Sequence, residues 1–458
     1  MLIGSVVSHR FSKGQQTILK HFYLFGFSAM RVCFLAASIL LVSCLITMGV
    51  ATAAAPPPPR CSGHVSQYPA FTGKPTFVKT VDNGKRFLGG TTNDTFHVVH
   101  LWGTPYEMGL AHGQLFQREF QQLQIDFYQY IESILDKALG KSLPQWIIDL
   151  IAELGAPAVL GLVHDWTKDF TPASFEEEMA GIAAGANLSV KFVRDYNLFP
   201  ELIRAACTIV GANGPSTPSG TIQHLRALDF DANLPIKDFA QVTVYHGHNG
   251  AASVANFGWL GMIGVLTGFS SNQVGVGEKV WGSGTWYDGV HGQPWMYLLR
   301  DVLRSSATTE SALTFLRNAN RTCAIHVGIG DASTNTFRGV QMAKKIFEVF
   351  NDTSISYPEH PVLKGIVYWD RHAQPTKHWC LSDLLKASYG NVTAEQLALA
   401  VAPLARTGDT HAITFDYMKM EAFVANARKS SITEGDLPAY DRRFTRLDMA
   451  KLFAEPKP

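Results

Sequence analysis

The periodicity of the sequence changes at Cys207. Upstream, from Pro105 to about Gly140, apolar residues recur at helical spacing in YEMGLAHGQLFQREFQQLQIDFYQYIESIL. A more apolar stretch, PQWIIDLIAELGAPAVLGLVHDWTKDF, follows, and Ser174 and Glu177 have the spacing of a capping box that opens EEEMAGIAAG. Downstream, ACTIVGA, GTIQHLRALDF, QVTVYHGH, ASVANFGWLGMIGVLTGF and NQVGVGEKVW are strand-like and divided by Gly, Asn and Pro. A helical segment, PWMYLLRDVLRSSATTESALTFLRNA, separates these from strands in CAIHVGIGD and FRGVQMAKKIFEVF. A helix around SDLLKAS and a hairpin in HAITFDYMKMEAFVANA complete the pattern. Residues 56–100 read as irregular, with short strands such as FHVVHLWG. Blocks of helix and strand without βαβ alternation point away from a doubly wound sheet and toward stacked layers of an α+β fold.

With 46% hydrophobic and 17% charged residues over 458 positions, the chain has the composition of a globular protein with a large core. The formal charge of +1 gives no basic footprint for nucleic acid. Residues 1–55 carry Arg10, Lys13, Lys20 and Arg31 and no acid; without them 35 basic face 38 acidic side chains, a formal charge of −3. Within this leader, RVCFLAASILLVSCLITMGVATAAA has a basic start, a long apolar run and a small-residue exit, as a signal peptide does. An uncleaved signal anchor is the alternative, because the apolar run approaches the length of a membrane span. The reading places the chain in the secretory pathway, lysosomal or secreted, or anchored by its leader. Asn93, Asn187, Asn320, Asn351 and Asn391 begin Asn-x-Ser/Thr sequons, which fits a glycosylated lumenal chain. Cys33 and Cys44 belong to the leader, leaving Cys61, Cys207, Cys323 and Cys380, an even number that could pair completely in an oxidising compartment.

Several chemistries find no support. There is no Gly-x-Ser-x-Gly elbow and no His-Glu-x-x-His. The lone His-x-His at 246–248 reads as structural, and GVGEKVWG and GIGDAS lack the remainder of a dinucleotide fingerprint. No metal or cofactor is expected.

Cys207 offers a different chemistry. A thiolate is a strong nucleophile, and neighbouring positive charge favours it. If CTIVGA and TIQHLRALDF pair as a hairpin, Arg226 and Asp229 return beside the start of the first strand. The arginine can favour the thiolate and hold a carboxylate. The aspartate can orient an amino group at that start, a role with meaning only if Cys207 becomes an N-terminus. A free α-amine titrates near pH 8, so it can serve as general base without a histidine. Spacing alone favours the plainer reading, a buried strand cysteine followed by a surface Arg–Asp pair.

The runs EEMAGIAAGANLS, YNLFPELIRAACTIV, QHLRALDF and GMIGVLTGFSSNQVGVGEKVW resemble the N-terminal nucleophile cysteine amidases of the acid ceramidase and N-acylethanolamine acid amidase group. Upstream, GTPYEMGLAHGQLF is similar to the related acyl-CoA:6-aminopenicillanic acid acyltransferase-like family. The resemblance spans about residues 100–300 and then thins. It implies an αββα sandwich preceded by a mainly helical N-terminal segment, made as a precursor and cut autocatalytically between Ala206 and Cys207. Residues 56–206 would become the small chain and 207–458 the large catalytic chain. Cys207 would attack an amide carbonyl, with its own amine moving the proton. Arg226 and Asp229 match the family's arginine and aspartate, and Glu278 an acid that supports the arginine. The family's oxyanion-hole asparagine falls in VYWDRHAQP, where Asp370 stands and no Asn occurs. Arg406, in LARTGDTH, corresponds to a late arginine of the acyltransferases, and nearby His411 reads as structural.

A nucleophilic Cys207 must stay reduced. Cys323, in apolar TCAIHVGIG, then reads as a buried thiol, leaving a Cys61–Cys380 disulfide to tie the chains together, as the family's subunits are tied. The family acts on N-acyl amides, often with a lipid acyl chain, and needs no metal. The apolar stretch 145–163 could contact a membrane surface to reach a lipid amide, or could simply pack in the core. The alternatives to an amidohydrolase are an acyltransferase moving an acyl group to an amine and a non-catalytic lipid-binding glycoprotein of the same fold.

Overall fold

In the computed structural model the chain separates into two units, Met1–Pro58 and Pro59–Pro458. The structure describes residues 61–137, 150–151, 153–203, 205–230, 234–282, 291–432 and 435–458. The leader therefore lies outside the described residues.

The N-terminal part of the second unit supplies three strands, β1 (Thr76–Val81), β2 (Gly84–Gly89) and β3 (Phe96–Leu101). They precede helices α1 (Pro105–Leu115), α2 (Gln117–Lys137), α3 (Ala156–Thr167), α4 (Ala173–Ala186) and α5 (Val190–Leu198). The sequence then switches to strand, with β4 (Ala206–Ala212), β5 (Gln223–Asp229), β6 (Ala240–Tyr245), β7 (Val254–Trp259), β8 (Thr267–Ser270) and β9 (Val274–Val280). Helices α6 (Trp295–Ser305) and α7 (Thr309–Asn318) lead to β10 (Ile325–Asp331), β11 (Thr336–Met342), β12 (Phe347–Phe350) and β13 (Ile366–Trp369). Helix α8 (Cys380–Ala387) and a helical stretch over 394–405 precede β14 (His411–Asp416), β15 (Glu421–Asn426) and β16 (Thr445–Asp448).

These strands form two sheets. Ten run in the order β1-β2-β3-β6-β7-β8-β9-β10-β11-β12 and six in the order β13-β4-β5-β14-β15-β16. Pairing is antiparallel except for β3 beside β6. One core joins the facing sheet surfaces to the helices α1–α7, and a second lies between the outer face of the six-stranded sheet and the helical stretch 380–405. The result is the expected α+β sandwich of four layers, αββα. The segment expected to be mainly helical also contributes β1–β3 to the larger sheet.

Local chemistry explains where helices start. Thr104 caps α1: its hydroxyl accepts from the Glu107 amide, and the Glu107 carboxylate accepts from the Thr104 amide, with Pro105 at the first helical position. The expected single helical run to Gly140 divides after Leu115. The capping box expected at Ser174 is absent. Helix α4 starts two residues earlier than a Ser174 cap would place it, at Ala173, with Pro172 in the cap position and Ser174 already inside the helix. In the stretch 145–163, residues 145–149 and 152 lie outside the described residues. Further along, Val159, Leu160 and Val163 of α3 are buried in the main core. Among the described residues no helix is long and apolar enough to cross a membrane.

Helices α1 and α4 meet backbone to backbone through Gly109 and Gly113 on one side and Gly181 and Gly185 on the other. A Cβ on Gly181 would fall 2.2 Å from the Tyr106 carbonyl oxygen, and one on Gly109 2.1 Å from that of Glu178. Alanine gains about 1 kcal/mol over glycine inside a helix. Here the obstacle is backbone, which cannot rotate away, so overpacking decides the sign. We expect Gly181→Ala to destabilise the protein by about 1–3 kcal/mol in a thermal or urea unfolding comparison. Equal or greater stability would contradict the close helix approach.

Candidate active site

Strands β4 and β5 form the expected hairpin, with Ala206 opposite Asp229, Cys207 opposite Leu228 and Ile209 opposite Arg226. Strand alternation turns Cys207 and Arg226 to the same face, into the space between the sheets. Both are fully buried. Every polar end of the Arg226 guanidinium has a partner. Nε donates to the Glu278 carbonyl oxygen at 3.0 Å, and Nη2 to Glu278 Oε2 at 3.2 Å and Cys207 Sγ at 3.4 Å. Nη1 stands 3.2 Å from His411 Nε2. Because the arginine can only donate, His411 accepts there and carries its proton on Nδ1. Burial and the Arg226 charge hold the His411 pKa well below the ordinary value, so the ring is neutral. It stacks on Trp259 at 5.1 Å. The structural reading of His411 thus takes a specific form: it orients the arginine.

Burial pushes the Cys207 thiol up to about 12, against the favourable Arg226 charge. With Ala206 still attached, the sulfur is a neutral thiol. Burial likewise pushes Glu278 up to about 7 despite Arg226.

Asp229 occupies the register position opposite Ala206, beside the bond that would release an amine. Its Oδ2 accepts from Thr407 Oγ1 at 2.7 Å and its Oδ1 from the Gly408 amide at 2.7 Å, with Arg371 Nη1 3.5 Å away. Burial raises its pKa to about 6, Arg371 opposing. Thr208, next to Cys207, reaches Thr407 at 2.6 Å. Thr407, Gly408 and Arg371 are site residues that sequence reasoning passes over. LARTGDTH marks the right segment, but the neighbours of Arg406 hold the aspartate. Arg406 itself is exposed, in the left-handed region, with Nε 3.3 Å from the Tyr440 hydroxyl.

Asp370, expected near the oxyanion position, directly follows β13. Its carboxylate accepts from His372 Nδ1 at 3.0 Å, Thr376 Oγ1 at 2.8 Å, the His372 amide at 3.1 Å and Gln374 Nε2 at 2.8 Å. Burial alone would raise its pKa, but the His372 and Thr376 hydrogen bonds hold it below the ordinary value. An ionised carboxylate has no proton to donate to an oxyanion. Asp370 therefore serves its own loop as an acceptor.

Two spaces flank the Ala206–Cys207 bond. One is a small apolar cavity of about 50 Å³ lined by residues before the bond, such as Phe127, Tyr196 and Ile203, and after it, such as Leu228, Phe230 and Trp259; Glu278 is its charged member. The other is an open polar pocket that includes Ala206, Thr208, Asp370, Arg371, Arg406 and Thr407. Among the described residues no cluster of three His, Cys, Asp or Glu side chains is set to hold a metal ion. Cys61 and Cys380 are disulfide-bonded with Cα atoms 5.1 Å apart, and Cys207 and Cys323 are free and buried.

Cys323 has a partner that the sequence gives no signal for. Its thiol lies 3.2 Å from Glu201 Oε2, and Glu201 Oε1 accepts from the Trp295 amide at 2.7 Å. Glu201 thereby ties the segment before Cys207 to the start of α6. No cation pairs with it among the described residues, and burial raises its pKa to about 7.

No protein-family model matches the chain. Protein dcd1A of Dictyostelium discoideum is 33% identical to it over 436 residues, covering 90% of this chain and 98% of that protein. The N-acylethanolamine-hydrolyzing acid amidase of Rattus norvegicus is 23% identical over 210 residues, 44% of this chain and 54% of the amidase. Among solved structures, the Caenorhabditis elegans ortholog of N-acylethanolamine-hydrolyzing acid amidase is similar at a TM-score of 0.36 and 16% identity, covering 46% of this chain and 93% of that one.

Glu201 generates a pH prediction. Its folded pKa lies above its unfolded value near 4.3, so its contribution to stability is full below the unfolded value and is lost as pH rises through about 7. Glu201→Gln should remove this term, worth on the order of 3 kcal/mol between pH 4 and 8. Thermal midpoints across that range should then fall less steeply with pH in the variant. Parallel curves would show that Glu201 titrates normally.

Proposed function

The chain belongs to the family of protein dcd1A of Dictyostelium discoideum, and on that premise we propose that it is a self-processing cysteine amidohydrolase cleaving N-acyl amides, lipid amides among them. One observation carries the reading. A buried cysteine held by an arginine sits in a strand whose preceding peptide bond separates an apolar cavity from an open polar pocket. An amide with an apolar acyl group and a polar amine has the same two halves. Similarity to the rat amidase, whose name states N-acylethanolamine hydrolysis, supports the same class.

In this reading the precursor is cut first. Cys207 Sγ adds to the Ala206 carbonyl carbon, the C–N bond breaks, and the proton of the thiol ends on the freed α-amine. Water then hydrolyses the thioester and releases the segment that ends at Ala206. The amine formed stands opposite Asp229, whose carboxylate orients it; with a pKa near 8 it can take the thiol proton in each later turnover. The substrate's acyl carbon passes to sulfur, the proton passes to the leaving amine, and water returns the free acid. Glu278 keeps Arg226 in place beside the sulfur. The Cys61–Cys380 disulfide holds the small chain 56–206 to the large chain 207–458 throughout.

The secretory, lysosomal or extracellular assignment is part of the same proposal. Asn93, Asn187, Asn320 and Asn391 are exposed and Asn351 is half-buried, which supports glycan attachment at the first four.

The test uses protein incubated with an N-palmitoyl amide of a fluorogenic amine. We expect free fatty acid, free amine and an acyl mass increment on Cys207 that hydroxylamine removes. Arg226→Ala and Asp229→Asn should each lower turnover by about a hundredfold or more. Near-normal turnover by folded, processed variants would contradict these roles. Capture of the acyl group by an added amine in preference to water would make the enzyme an acyltransferase.

A further inference from the structure

Lys279 is a buried cation with no part in the steps above. Along β9, a Cβ on Gly275 would lie 2.2 Å from the Tyr417 hydroxyl and one on Gly277 2.8 Å from Arg226 Cγ, so both positions face the six-stranded sheet. Side chains alternate along a strand, so Lys279 faces the same way. Strand β10 pairs Gly330 with Gly275, Gly328 with Gly277 and His326 with Lys279. Across the gap, a Cβ on Gly330 would meet Ile222, and one on Gly328 would meet Ile209 and His224. The next step in the same direction along β4 and β5 reaches Cys207 and Arg226. Lys279 and His326 therefore stand level with the sulfur.

Lys279 is 3% exposed, and its ammonium makes no hydrogen bond or ion pair with the described residues, although Nζ itself is not fully sealed from solvent. The acids around it are engaged elsewhere, Glu278 through Oε2 by Arg226, Asp229 by Thr407, Gly408 and Arg371, and Asp370 by its own loop, though Glu278 Oε1 is unpartnered. Burial draws the Lys279 pKa down, while Cys207, Asp370, Asp229 and Glu278 oppose that. An ammonium with no protein partner in a largely buried position is costly, which leaves it free to serve a group that arrives later. Asp370, which stands where the oxyanion donor was sought, can only accept, so the donor comes from elsewhere.

Resting on the amidase reading, we propose that Lys279 is a catalytic residue whose ammonium donates to the oxyanion formed when Cys207 adds to the substrate carbonyl. As Sγ bonds to the carbonyl carbon, the C=O electron pair moves onto oxygen beside the ammonium. It returns as the C–N bond breaks and the amine leaves with the proton carried by the Cys207 amine. Lys279 keeps its own three protons throughout.

Lys279→Met and Lys279→Gln separate this from a structural role. The readouts are turnover of the N-palmitoyl amide, alkylation of Cys207 by iodoacetamide, and the thermal midpoint. Lys279→Met should lose about a hundredfold to a thousandfold in kcat with KM little changed. Its alkylation rate should stay within several-fold, and its midpoint should be equal or higher, because a costly buried charge is gone. Lys279→Gln keeps an N–H donor and should fall between. A Lys279→Met protein that folds at an equal or higher midpoint but stays uncut supports the proposal equally, through the Ala206 carbonyl, the first amide Cys207 meets. Turnover of Lys279→Met within fivefold of wild type overturns the proposal alone. So does loss of activity joined to a lowered midpoint and lost alkylation in both variants. A wild-type protein inert toward amides overturns the amidase reading and this inference with it.

Discussion

The buried guanidinium of Arg226 is the contact around which the two sheets are arranged. A charge at 0% exposure is tolerated only when paired and fully hydrogen-bonded, and each arm of this one has an acceptor. Those acceptors come from three places: Cys207 on β4, Glu278 on β9 of the opposite sheet, and His411 on β14. The arginine therefore bridges the layers. Glycine at 277 follows from this, because the arginine's aliphatic stem passes where a Cβ would stand. A neutral His411 follows as well, since a second cation against Arg226 would undo the arrangement.

Under the proposed mechanism, the same burial would hold the nucleophile in reserve in the uncut chain. Desolvation opposes the thiolate more strongly than Arg226 favours it, so the sulfur stays protonated while Ala206 remains attached. Cutting the bond before Cys207 would supply an amine next to the sulfur and opposite Asp229 and would open the strand's end to the polar pocket. In that mechanism, latency and activity would differ by a single peptide bond rather than by a change of fold. The pieces on either side of that bond share the apolar cavity, the Glu201 contact to α6 and the Cys61–Cys380 disulfide, so both remain part of one site.

Much of this was legible in the sequence because it is local. The switch from helical to strand periodicity at Cys207, the hairpin that returns Arg226 and Asp229, and the layered α+β class all follow from patterns within a few dozen residues. The partners of those residues were harder, because they arrive from far along the chain. Thr407 and Gly408 hold Asp229 from about 180 residues away, and nothing in a Thr-Gly pair announces it. Glu201 looks like any acid after a proline until it is found buried against Cys323. Lys279 continues the face of Gly275 and Gly277, which mark a close approach of the sheets, a signal readable only once the strand's facing is known. Asp370 stood where an asparagine was sought, and its four hydrogen bonds within its own loop redirect the search for an oxyanion donor. The Ser174 spacing failed for a simpler reason: Pro172 started the helix first.

The most direct measurement is the N-terminal sequence and intact mass of the purified protein after incubation at acid pH, with Cys207→Ala treated in parallel. Self-processing at Cys207 predicts a new N-terminus reading CTIVGA and two chains that separate only on reduction of Cys61–Cys380, while the variant stays one chain. Cleavage of Cys207→Ala at the same bond, or full amidase activity from an uncut wild-type chain, would contradict it.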